Sequence, residues 1–251
     1  MKGVLITGSA KRIGAAVATR LATSGWHVVI HFSRSKSEAN DLLRSITGGG
    51  GSASLVEADL SDHEARSRCM TEAFALCPGL VALVNNASLF EYDTFGTLTE
   101  EALTRAMVVN AIAPVHLAQS FVAALPGEAD GCIVNVLDNK IYGLNPDYFS
   151  YTMSKYALFG ATHMMARALA PRVRVCGIAP GITLVSGKQS EANFEAGQKM
   201  NPLRRGCTPE QVARAAEFIL TSPSLNDQVI TIDGGESLAP HDRDVAFLSD
   251  L

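Results

Sequence analysis

The sequence predicts an α/β fold in which a doubly wound, parallel seven-stranded sheet carries helices on both faces, and three observations predict it. Short apolar runs rich in Val and Ile alternate with longer segments whose apolar residues return at helical spacing. Several of the short runs are apolar almost throughout rather than at every second residue, as parallel strands covered on both faces must be. The chain has 251 residues, 47% of them hydrophobic and 18% charged, enough for one core and a single domain over residues 1–251 without disulfide or metal staples.

Taken in order, strands are expected at residues 4–7, 28–32, 53–57, 81–85, 132–137, 173–178 and 229–232. Between them the helical segments are 13–24, 62–75, 100–125, 151–169 and 209–220. The last opens on Thr208 as a cap, with Pro209 at the first helical position, where a missing N–H is harmless. Gly48-Gly49-Gly50-Gly51 is a flexible turn ahead of the third strand. Residues 182–201 are polar and weakly periodic, a candidate substrate loop or lid. The tail at 241–251 carries no readable motif.

Composition narrows the partners. The net charge is −4 with both signs dispersed, which provides no basic stripe for nucleic acid and no polybasic patch for an anionic membrane. A small molecule is the expected partner. Cys69, Cys77, Cys132, Cys176 and Cys207 are odd in number and irregular in spacing, so no zinc or other metal site is expected and they read as reduced, buried thiols. The first residues turn glycine-rich too soon for a secretory segment, and no apolar run has transmembrane length; a cytoplasmic protein is expected.

The first motif with chemical content is Thr7-Gly8-Ser9-Ala10-Lys11-Arg12-Ile13-Gly14, between the first strand and the first helix. Small residues there let the backbone approach a pyrophosphate while the helix N-terminus offers N–H groups; the alternative is a tight turn with no ligand. The second strand ends in His31-Phe32-Ser33-Arg34-Ser35, with no acidic residue for a ribose hydroxyl. A guanidinium beside a hydroxyl suits a 2′-phosphate, so Arg34 and Ser35 imply NADPH, unless Arg34 is a solvated surface residue. Asp59-Leu60, after the third strand, is placed to touch an adenine edge.

Tyr151-Thr152-Met153-Ser154-Lys155 puts a phenol and an ammonium on one helix face. A tyrosine of pKa about 10 exchanges protons poorly at neutrality, and a neighbouring ammonium is expected to lower that value. Asn110 lies in the middle of a long helical segment, either holding a water that links the lysine to solvent or simply kinking the helix.

Together these residues resemble the short-chain dehydrogenase/reductase family, from Lys2 to about Leu238. Asn85-Asn86-Ala87 after the fourth strand, Pro180-Gly181 after the sixth and Ile232-Asp233-Gly234-Gly235 near the end extend the resemblance. It implies a Rossmann-type fold and an oxidoreductase in which Tyr151 is the general acid. Lys155 lowers the tyrosine pKa and binds the nicotinamide ribose, and Asn110 completes a proton relay. It further implies that Gly8, Arg12, Ile13, Gly14, His31, Arg34, Ser35, Asp59, Leu60, Asn86, Ala87, Ser88, Tyr151, Lys155, Pro180 and Gly181 hold NADP(H). A homotetramer built through the two long central helices is also implied, with Ala157, Gly160, Ala161 and Ala168 on their outward faces.

Two departures are informative. Arg12 stands where most members have glycine, and Asp138 stands where the family generally has a serine, thirteen residues before the tyrosine. With Asn85-Asn86-Ala87-Ser88-Leu89-Phe90 they resemble the pteridine reductase branch, which includes the bacterial dihydromonapterin reductases. That resemblance implies reduction of a dihydropteridine by NADPH, with Asp138 and Tyr151 supplying the proton. Phe90 stacks on the pterin, and Ser88 and Arg12 contact the cofactor phosphates and the polar substrate edge. A carbonyl reductase of the same family and a catalytically silent NADPH-binding protein stay open as alternatives.

Overall fold

The computed structural model describes residues 1–185, 189–239 and 241–248. Its strands are β1 (Gly3–Ile6), β2 (His27–Phe32), β3 (Ser52–Glu57), β4 (Leu80–Asn85), β5 (Gly131–Val136), β6 (Val173–Pro180) and β7 (Val229–Ile232). They form one parallel sheet in the order β3-β2-β1-β4-β5-β6-β7. The helices are α1 (Arg12–Thr23), α2 (Lys36–Gly48), α3 (His63–Leu76), α4 (Glu100–Met107), α5 (Ala113–Ala124), α6 (Phe149–Ala168), α7 (Glu191–Gly197) and α8 (Pro209–Thr221).

The central strands β1, β2, β4, β5 and β6 are buried on both faces, which is why they read as nearly unbroken apolar runs, while the edge strands β3 and β7 are only partly covered. On one face Val4, Val28, Ile30 and Val134 pack under Val17 and Leu21 of α1 and Val212 and Ile219 of α8. On the other, Leu5, Val29, Leu83 and Ile133 pack under Met70 of α3, Leu117 and Phe121 of α5 and Ala166 of α6. Each of the Val, Leu, Ile, Met and Phe side chains among them contributes roughly 1.5–3 kcal/mol by leaving water.

Helix ends follow the expected chemistry. Thr208 Oγ1 accepts from Gln211 N at 3.3 Å and Gln211 Oε1 accepts from Thr208 N at 3.0 Å, a reciprocal cap with Pro209 inside it. Asp62 and Thr99 cap α3 and α4 from one side only, their side chains accepting from Ala65 N–H and Ala102 N–H.

The structure departs from the sequence reading in four places. The helix α2 was not anticipated, because it buries only Ala39 and Ile46 and its apolar stripe is thin. Gly48 belongs to that helix, and the turn begins after it, with Gly50 at φ +83°. The single helix expected at 100–125 contains a π-helical turn at Val108–Ile112, a wider turn that carries Asn110 into the interior at 1% exposed. That helical run of 25 residues is also long and apolar enough to cross a membrane, contrary to the expectation that no run has this length. Here it packs against α3, α6 and the sheet.

The strand order reverses direction between β1 and β4, and the carboxyl ends of the strands there open into a crevice, the usual ligand position in such sheets.

Candidate active site

A cleft of about 720 Å³ runs along the carboxyl ends of the strands. Its floor is built from β1 and β4. Gly8 has φ +61°, and a Cβ there would lie 2.9 Å from Ala87 Cα. A Cβ on Gly14 would lie 2.6 Å from the Gly8 carbonyl and 2.7 Å from Asn86 Nδ2. Only glycine fits either place. Asn86 Nδ2 donates to the Thr7 and Gly8 carbonyls at 2.9 and 3.1 Å, and Thr7 Oγ1 accepts from the backbone N–H groups of Asn86 and Ala87 at 2.9 and 3.0 Å. The loops after the two strands are thereby fastened together. Arg12, Ile13 and Gly14 bring the start of α1, with its unpaired first-turn N–H groups, to the same cleft.

Arg12 itself has φ +58°, a left-handed conformation that costs a non-glycine residue roughly 1 kcal/mol and that explains why glycine is common there. Its guanidinium donates to the Val185 carbonyl at 3.0 Å, tying the phosphate loop to the 182–201 segment. Within that segment Ile182, Thr183, Leu184 and Gln189 line the cleft, and α7 occupies its second half. Residues 186–188 of the candidate lid lie outside the described residues, as do 240 and 249–251 of the tail.

His31 lines the cleft floor although it is only 2% exposed. Its Nδ1 accepts from Gly8 N–H at 3.0 Å, so the Nε2–H donates to the Ala58 carbonyl at 3.1 Å. Burial holds the imidazole neutral, with its pKa pushed down to about 4. Beyond it, Arg34 and Ser35 line the end of the cleft beside Lys11, which pairs with Glu38 at 2.8 Å. Asp59 also lines this end, but its Oδ1 is taken by Ser61 N–H and Oγ at 2.9 and 2.8 Å, bonds that hold the carboxyl below the usual range. Leu60 is buried behind it.

At the other end stand Asp138, Tyr151, Lys155, Pro180 and Gly181. Tyr151 Oη donates to Asp138 Oδ2 at 2.6 Å, and Asp138 Oδ1 accepts from Lys140 N–H at 2.9 Å. Burial pushes the Asp138 carboxyl above its ordinary value. Burial and the charge of Asp138 also hold the Tyr151 phenol well above 10. Lys155 does not offset this: its Nζ donates to the Val136 carbonyl at 2.7 Å and sits 5.6 Å from the Tyr151 ring centre. Burial brings Lys155 down to about 8. The expected depression of the tyrosine pKa by the lysine is therefore corrected: burial first, and then the carboxylate beside the phenol, hold it up. What results is a neutral phenol and a carboxyl group sharing one short hydrogen bond.

Asn110 does not line the cleft. Its Nδ2 donates to the Leu89 carbonyl and Ser154 Oγ, both at 2.9 Å, and its Oδ1 accepts from Leu89 N–H at 2.7 Å and Ser88 Oγ at 3.2 Å. All four side-chain bonds go to the 88–89 loop and to α6, so the side chain pins this loop rather than reaching Lys155. Ser88 and Phe90 line the cleft on that loop. Phe90 stacks on Tyr148 at 4.2 Å between centroids and meets Tyr151 edge-on at 4.7 Å.

Several cleft residues carried no signal in the sequence. Lys140 is 5% exposed and pairs with Asp244 at 2.8 Å. The tail assigned no motif folds back here: Asp244, Val245 and Ala246 line the cleft, and Phe247 packs on Tyr92 and Tyr148. Glu236 lines it too. Their pairings span large sequence separations that no local pattern reveals.

The start of α1 turns first-turn N–H groups to the cleft, as a pyrophosphate requires, and the Arg34–Ser35 rim offers a guanidinium and a hydroxyl to a 2′-phosphate, so the residues present fit such a dinucleotide. No cluster of metal-ligating side chains occurs among the described residues.

A family model described as short chain dehydrogenase matches residues 2–196. Among solved structures, FolM alternative dihydrofolate reductase 1 from Brucella canis, complexed with NADP, is 39% identical and superposes with a TM-score of 0.89 over 94% of each chain. Among curated proteins, an uncharacterized oxidoreductase of Methylorubrum extorquens is 32% identical over 243 residues, covering 93% of this chain and 97% of its own. Pteridine reductase 1 of Leishmania tarentolae is 31% identical over 277 aligned positions, covering 93% and 96%.

Proposed function

Since the chain belongs to the short chain dehydrogenase family, we propose that it reduces a dihydropteridine to its tetrahydro form with NADPH. The observation that carries this reading is the 2.6 Å hydrogen bond from Tyr151 to Asp138. A carboxylate is a poor partner for a ketone oxygen, whereas a phenol and a carboxyl group sharing a proton suit a ring nitrogen that must gain one. Relatives at this similarity are a FolM alternative dihydrofolate reductase and a pteridine reductase, which supports the same substrate class.

Bound NADPH supplies the hydride. The chain holds it by the Gly8–Gly14 cradle and the start of α1 at the pyrophosphate, by Arg34 and Ser35 at the 2′-phosphate, and by Lys155 at the nicotinamide ribose. Tyr151 Oη delivers its proton to the ring nitrogen, and the phenolate left behind is reprotonated by way of Asp138, which draws a replacement proton from solvent in the cleft. Phe90 and Tyr148 form an aromatic wall for a flat ring, with Phe90 40% exposed. Five buried free thiols accord with a reducing, cytoplasmic setting. Ile112, Met153, Tyr156 and Met164 are exposed apolar residues on the central helices and favour assembly through them as a homotetramer, which light scattering tests.

The test of function is NADPH oxidation followed by absorbance, with dihydrobiopterin, dihydromonapterin and dihydrofolate beside simple ketones. Turnover of a dihydropteridine is the expected result; turnover of ketones alone overturns it.

A further inference from the structure

The 3₁₀ turn Glu236–Leu238 brings into the cleft a carboxyl group that the reaction described above does not use. Its position is specified by the backbone on both sides. Gly234 at φ +67° and Gly235 at φ +84° turn the chain back toward the site, and Asp233 fixes that turn by accepting from Gly235 N–H and Ser237 N–H, both at 2.8 Å. Two further glycines make room opposite. A Cβ on Gly143 would stand 3.0 Å from Ser237 Cα, and one on Gly181 would stand 3.0 Å from Glu236 Oε2.

The groups around Glu236 come from every neighbouring element. From the end of β5 it meets Asp138 and the side-chain amide of Asn139. From the turn that follows β5 comes Lys140, whose ammonium is committed to Asp244 at 2.8 Å. From α6 come Tyr151, bonded to Asp138, and Lys155, bonded to the Val136 carbonyl. Its own turn adds Asp233 and the tail adds Asp244. Behind Gly234 runs the 201–205 segment, whose Arg204 and Arg205 are exposed. Three carboxylates thus face Glu236, while both buried ammonium groups are bonded elsewhere. Burial and those carboxylates push the Glu236 carboxyl up to about 7.

We propose that Glu236 is a substrate-binding hydrogen-bond donor of this cleft, holding as a neutral acid a carbonyl or ring-nitrogen acceptor of the flat substrate while Asp138 and Tyr151 serve the bond being reduced. The proposal rests on the dihydropteridine reading for the identity of that acceptor; the state of the carboxyl group belongs to the chain alone. Ionisation removes the donor and adds a fourth negative charge, so substrate binding weakens as pH rises through neutrality.

Two measurements test it. Infrared difference spectra of the wild-type protein between about pH 6 and about pH 8.5 should show a protonated-carboxyl band lost on raising the pH and absent from Glu236→Gln. The KM for dihydrobiopterin at saturating NADPH should rise about tenfold over the same range in the wild type, the worth of one hydrogen bond, and should not follow pH in Glu236→Gln, whose amide donates at every pH. A wild-type KM that is flat with pH, or a difference spectrum without the carboxyl band, overturns the proposal, and neither needs the variant to fold. If no dihydropteridine is turned over, the substrate reading fails separately, and the carboxyl band still decides the state of Glu236.

Discussion

Asp147 and Arg243 stand 96 residues apart in the chain and meet as a two-pronged ion pair, with the guanidinium Nε and Nη2 2.8 and 2.9 Å from the two carboxylate oxygens. Asp147 also accepts from Asp244 N–H at 2.8 Å and from Tyr92 Oη at 3.3 Å. One buried carboxylate therefore fastens the tail to the loop ahead of α6 and to the loop after β4. Burial pushes that carboxyl up, but Arg243 and the Asp244 N–H outweigh burial and hold it below its ordinary value. A carboxyl depressed in the folded state stabilises it above the unfolded value and loses that effect as pH falls through the folded one. Asp147→Asn should raise hydrogen exchange at residues 244–247 by about tenfold or more while NADPH affinity changes less than about twofold. Unchanged exchange would show that Phe247 and Val245 hold the tail unaided.

Tyr151→Phe removes the hydroxyl proposed as proton donor and leaves the ring. Turnover should fall by roughly 10²–10⁴-fold, with NADPH affinity, measured by fluorescence titration, within about threefold of the parent. Asp138→Asn should lower turnover as well, because an amide cannot exchange the shared proton. A large loss of cofactor affinity in Tyr151→Phe would make the phenol structural.

Much of this was legible in the residue order. All seven strands lie within about two residues of their expected places; the five central ones are buried on both faces and write a plain apolar run, and the edge strands β3 and β7 are marked off by their flanking turns. The phosphate loop and the Tyr151–Lys155 pair are local patterns, readable for the same reason. What local pattern cannot carry is the balance of fields at a buried site: the sequence places Lys155 one turn from Tyr151, but only packing reveals Asp138 bonded to the phenol and the ammonium turned to Val136. The tail is the extreme case. Asp244 and Phe247 acquire meaning only opposite Lys140 and Tyr148, about a hundred residues away in sequence.

Arg34→Ala tests the cofactor rim. Loss of charge-assisted bonds to a 2′-phosphate should raise the KM for NADPH by about tenfold to a hundredfold and leave that for NADH within about twofold. Equal effects on both would remove Arg34 from the phosphate.

His31 makes a prediction about acid. Its folded pKa, about 4, lies below the ordinary 6.5, so between these values the unfolded chain binds a proton that the folded chain refuses. Stability therefore falls as pH drops from about 6.5 toward about 4, by about 3 kcal/mol at most. Urea titrations across this window should show the slope in the parent and a shallower one in His31→Gln, the remainder coming from His27 and His116, which are also held below the ordinary value. A parent with pH-independent stability there would contradict the neutral, doubly bonded imidazole.

That imidazole has a consequence for ligand entry at the cleft. Gly8, from the loop after β1, and Ala58, from the loop after β3, hang on the two nitrogens of one ring. The nucleotide end is therefore a stiff socket in advance of any ligand. Two loops of the nucleotide end are thus held at a set spacing by the chain itself, so a dinucleotide entering there has neither of them to order.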